Sequence, residues 1–102
     1  MNTDTKIADK NQFFTYKNRP LVRNGNTIYY GNMWEKYVIM MQIAETTQLK
    51  DMEIASKVSI QLLLTDPDVR ARDRIVKRSE KSSLYDAIDI SAIWLERALA
   101  GN

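Results

Sequence analysis

The sequence predicts an α+β domain, an antiparallel β-meander of about four strands packed against one C-terminal helix. Three observations carry that expectation. An Asn-Gly-Asn segment at 24–26 separates two runs of strand-forming residues. Two further runs, 37–47 and 57–65, read as strands by their apolar content and period of two. From Leu84 to Ala100 the apolar residues recur with a helical period instead.

Residues 1–11 are polar and aperiodic, and are expected to form a flexible tail before a single domain at 12–102. Phe13, Phe14 and Tyr16 open the ordered part as a short strand or an aromatic plug. Asn24-Gly25 is the expected hairpin turn, since both residues tolerate positive φ. It sets Leu21 opposite Ile28 and Val22 opposite Thr27; a Gly25-Asn26 turn would shift that pairing. Gly31-Asn32-Met33 marks a second turn.

In the run 37–47, Tyr37, Ile39, Met41 and Ile43 take one face. Val38, Met40, Gln42 and Ala44 take the other. Both faces are largely apolar, which predicts a central strand covered on two sides. Residues 48–56 leave strand, turn and helical readings open. The next strand, 57–65, ends at Asp66-Pro67-Asp68, because proline cannot continue a ladder. A charged connection follows over 69–81, with room for a short edge strand near Ile75-Val76.

Ser83 is the expected helix cap, and Asp86 three residues on suits the positive end of the helix dipole. Gly101 stops the helix. Leu84, Ile88, Ala92, Leu95 and Leu99 form one stripe, edged by Ala87 and Ala98, with Asp86, Asp89, Glu96 and Arg97 opposite. Ile90, Ile93 and Trp94 exceed what one sheet contact requires.

The chain of 102 residues contains no cysteine and no histidine. Disulfides, thiolate nucleophiles, imidazole bases and Ser-His-Asp triads are therefore excluded. Only three glycines are present, and none forms a phosphate-cradling motif. Asp66 and Asp68 read as turn chemistry, and Asp86 and Asp89 as helix-dipole partners. The expectation is a non-enzymatic protein with no cofactor and no metal. No apolar run is long enough to span a bilayer, and the N-terminus lacks a signal core, so a cytoplasmic location is expected.

Two functional readings follow. The first is an interaction module, expected to be a homodimer, because one helix cannot cover both faces of the 37–44 strand. Its candidate partner surface is Trp34, Met40, Ile90, Ile93 and Trp94. The second is weak nucleic-acid or ribosome binding through segment 70–81. There Arg70, Arg72, Arg74, Lys77 and Arg78 would meet phosphates, while Tyr16, Tyr29, Tyr30 and Trp34 supply stacking surfaces. The net charge of +2 and the interspersed Asp68, Asp73 and Glu80 fit a solvated, ion-paired loop better.

Overall fold

The computed structural model describes residues 11–101. Its strands are β1 (Asn11–Tyr16), β2 (Arg19–Asn24), β3 (Thr27–Tyr30), β4 (Tyr37–Leu49), β5 (Met52–Leu64) and β6 (Ile75–Lys81). A single helix, α1, spans Leu84–Leu99. The strands follow one another in one antiparallel sheet, in the order β1-β2-β3-β4-β5-β6. The α+β meander with a C-terminal helix is as expected, but it has six strands where four were anticipated. The aromatic 13–16 segment and the charged 75–81 segment are both full edge strands. Apart from Asn11, which opens β1, the expected tail lies outside the described residues.

The hairpin between β2 and β3 corrects the expected register. Gly25-Asn26 is the loop, so Asn24 pairs with Thr27, Arg23 with Ile28 and Leu21 with Tyr30. Gly25 takes φ +66 while Asn26 does not take positive φ, the pattern of a loop that wants glycine first. Asn26 then offers its carbonyl to the Ile43 amide at 2.8 Å, tying the turn to β4. Between β1 and β2, Lys17 and Asn18 both take positive φ, as a tight two-residue hairpin requires.

Segment 48–56 resolves as strand, two-residue turn and strand. β4 and β5 make one long hairpin, with Lys50 at φ +58 in its tip. Register shifts near Ala44 and Ser56 interrupt its pairing.

α1 lies across β4, β5 and β6. Its cap is as predicted: the Asp86 amide donates to Ser83 Oγ at 3.1 Å. The core forms between this helix and one sheet face, with Ile28, Tyr30, Ile39, Met41, Ile60 and Leu95 among its members. Gly31 sits at the crossing with φ +118. A Cβ there would stand 2.9 Å from Leu95 Cδ2, so even alanine would force the buried Leu95 side chain to shift.

Candidate self-association surface

Strict alternation assigns each strand residue to one of two faces. The row Phe14, Leu21, Tyr30, Ile39, Leu62, Lys77 runs across all six strands on the helix side. The adjacent row Phe13, Val22, Tyr29, Met40, Gln61, Arg78 lies on the opposite, open side. Among the described residues no helix or further sheet layer covers it. Its first four members are apolar or aromatic. Phe13 is 72% exposed and Tyr29 43%, while Val22 and Met40 are half-buried by their neighbours. Val38 and Leu63 are paired in the next row, but Val38 is buried and Leu63 half-buried, so the open apolar area stops short of that end of the sheet.

The β4–β5 hairpin carries a second apolar patch. Beyond Ile43 and Val58 neither strand has another neighbour, so residues 44–57 project as an arm. Within the arm, Thr46 pairs with Ala55 and Gln48 with Glu53; Thr47 pairs with Ile54 and Leu49 with Met52. Ala55 packs against the core cluster, which puts its side of the arm toward the helix. Leu49, Met52 and Ile54 therefore share the open side, and all three are exposed. The displaced residues at the register shifts bring this about, because they change which side chains of each strand point toward the helix.

The expected partner residues separate. Met40 lies at the centre of the open face. Trp34 stands 84% exposed on the β3–β4 connection. That connection is pinned by Thr65, whose Oγ1 donates to the Glu35 carbonyl at 2.6 Å. Ile93 is exposed on the outer side of α1, and Ile90 is half-buried against the core. Trp94 is corrected outright: it is buried in the core, with Lys77 Nζ 4.8 Å from its ring centroid. The Lys77 ammonium over its ring is a cation–π contact that a helical wheel cannot reveal. Phe13, Val22, Leu49, Met52 and Ile54 were not foreseen as partner-surface residues, and Tyr29 was foreseen only as a stacking platform. The alternation of 19–30 carries the signal for Val22 and Tyr29, but it needed the correct register.

The basic segment does not assemble into one surface. Arg70 pairs with Asp73 at 3.5 Å. Arg74 is held by the carbonyls of Val69 and Pro67, at 2.7 and 3.1 Å. Lys77 lies on the helix side, Arg78 on the open side, and Arg72 is exposed in the short 3-10 turn at Ala71–Asp73. The tyrosines are likewise split. Tyr30 is fully buried and donates its hydroxyl to the Tyr16 carbonyl at 2.9 Å, while Tyr16 donates its own to Asp89 at 3.0 Å. Burial raises the Tyr30 pKa above the ordinary phenol value, and the hydrogen bond to Asp89 raises that of Tyr16.

A groove of about 730 Å³ runs between the arm and the start of α1. Its lining includes Ile43, Ile54, Ala55, Leu84 and Ile88 together with Arg23 and Glu53. Its chemistry is mixed and selects no ligand class. Among the described residues no three metal-ligating side chains come together, and no helix is long and apolar enough to cross a membrane.

The comparisons find no relative. No family model, no curated protein and no solved structure matches this chain. The open face therefore has to be read on its own chemistry.

Proposed function

We propose that the protein is a non-enzymatic interaction module that self-associates through the sheet face opposite its helix. The observation that carries this reading is the row Phe13, Val22, Tyr29, Met40, with a second apolar patch of Leu49, Met52 and Ile54 on the arm beyond polar Gln42 and Ser59. Exposed apolar patches rimmed by polar residues mark interaction sites on folded proteins.

The dimensions suit a second copy. The molecule measures 43 × 33 × 25 Å. Strands of thirteen residues at about 3.3 Å each account for the long axis, and six strands about 4.8 Å apart for most of the second. A standard specific interface takes roughly 800 Å² per partner, the order of area that six strands and a two-stranded arm present. Polar Thr27, Gln42, Ser59 and Gln61 sit beside the apolar row, as at a rim. Two copies packed face to face around a two-fold axis would form a sandwich whose inner layers both come from this surface.

Light scattering at micromolar concentration tests it. The wild-type chain should show a multiple of its 11.8 kDa mass. Tyr29→Lys should lower that mass while leaving the circular dichroism unchanged, because Tyr29 contributes nothing to the core beneath. A wild-type protein that runs as a monomer would overturn the reading.

A further inference from the structure

The two edges of the sheet are built differently. β6 carries Lys77, Arg78, Glu80 and Lys81, and a register shift at Val76 bulges it against β5. Charges and bulges are the usual guards of a free edge. β1 has neither. Its sequence, Asn11-Gln12-Phe13-Phe14-Thr15-Tyr16, contains no charge and no proline. Its six residues pair with β2 without interruption. Among the described residues nothing pairs with its outer side. Phe13 and Phe14 stand exposed on opposite faces, at 72% and 48%.

An uncharged, regular edge with unused main-chain donors and acceptors is a template for another strand. We propose that β1 pairs antiparallel with β1 of a second copy, across a two-fold axis perpendicular to the sheet, giving one continuous sheet. Charge selects this occupant. β1 against itself sets no like charges opposite one another, whereas β6 against itself sets Arg78 against its own copy if the axis passes at Arg78, and Lys77 against Lys81 if it passes at Ser79, each at a cost.

Geometry supports the same choice. An axis perpendicular to the sheet keeps both helices on one side, so only residues of the same face can lie opposite one another. The axis must then pass through a residue of β1. If it passes at Phe13, that ring meets its copy directly and Phe14 meets its copy on the diagonal. If it passes at Phe14, the roles exchange. Both arrangements lie within aromatic reach. Two faces of exposed phenylalanine are thereby covered by one contact.

The edge contact shares only Phe13 with the open-face row. The two interfaces have perpendicular axes, so four copies could satisfy both. Substitution distinguishes them. Phe14 lies on the helix side, away from the open face, so Phe14→Lys disrupts only edge pairing, and Tyr29→Lys only face pairing. Light scattering should show that Phe14→Lys lowers the wild-type mass by half. The double variant should be monomeric. If Phe14→Lys lowers the mass and Tyr29→Lys does not, edge pairing stands and face pairing fails.

Cross-linking gives the direct readout. The natural chain has no cysteine, so Phe13→Cys and Phe14→Cys each introduce one thiol. Directly opposed strand residues, about 4.5–5.5 Å apart at Cα, are within disulfide range. One of the two variants should oxidise to a linked pair far faster than the other. An unchanged mass for Phe14→Lys, or linked pairs from neither cysteine, would overturn the proposal. So would mass growing without limit as concentration rises, since that indicates β1 joined to β6 of the next copy in an open chain.

Discussion

Two glycines and two tyrosines show how single residues set this fold. Gly25 and Gly31 both take positive φ, but only Gly31 also lacks room, with Leu95 and Val38 against the position of its missing Cβ. Gly25→Ala should cost about 1–2 kcal/mol, the strain of a left-handed backbone alone. Gly31→Ala should cost more, about 2–5 kcal/mol, because strain and overpacking coincide. Urea denaturation of the two variants checks the order. The tyrosines set the alkaline limit. Tyr30 and Tyr16 have folded pKa values raised above 10.0, the first by burial and the second chiefly by its bond to Asp89. In the window above pH 10 the unfolded chain has lost phenolic protons that the folded chain still holds. Their contribution to stability is therefore complete below pH 10 and is lost as pH rises through the folded values. Denaturation midpoints should fall above pH 10, and Tyr30→Phe should flatten that fall. A fall of equal steepness in Tyr30→Phe would remove Tyr30 as its source.

At the scale of elements, the assignment of Trp94 can be tested against its expected role on a partner surface. A buried tryptophan truncated to alanine costs about 3–5 kcal/mol. Trp94→Ala should lose that much in urea unfolding. A partner residue would change the mass and leave stability nearly intact. The case also shows what the sequence could and could not disclose. Ser83, Asp86 and Gly101 announce the limits of α1 because capping is local chemistry. The alternation from Tyr37 to Ala44 announces β4 because both its faces bear on apolar neighbours. What covers Trp94, by contrast, depends on the position of Lys77, which lies seventeen residues away in sequence and belongs to a strand whose charges disguise it. β1 and β6 were harder to read for the same reason. An edge strand has one ladder partner, so its pattern is less constrained than that of a central strand. The register shifts near Ala44, Ser56 and Val76 reset the alternation without any compositional mark. The apolar side of the arm was hidden with them.

On the scale of the whole molecule, a chain of 102 residues with a single helix on one sheet face has a core of limited depth. The open face of a lone copy leaves Phe13 and Tyr29 exposed, and the arm is a two-stranded hairpin, a unit with little stability of its own. Association would supply the missing cover, and mass action makes that visible without a structure of the assembly. Whatever binds only the folded state stabilises it in proportion to the logarithm of its concentration. For a folded dimer unfolding to two chains, a tenfold increase in protein concentration should raise Tm by about 3 °C, given an unfolding entropy of about 2.1 cal/mol/K per residue. Scanning calorimetry over two decades of concentration reads this directly. Tyr29→Lys should lose the part of that slope due to face pairing, and its Tm should approach the dilute wild-type value, since the side chain lies outside the core. A wild-type Tm independent of concentration would mean that the open face meets water in the working protein, and that its aromatic row serves something other than another copy of this chain.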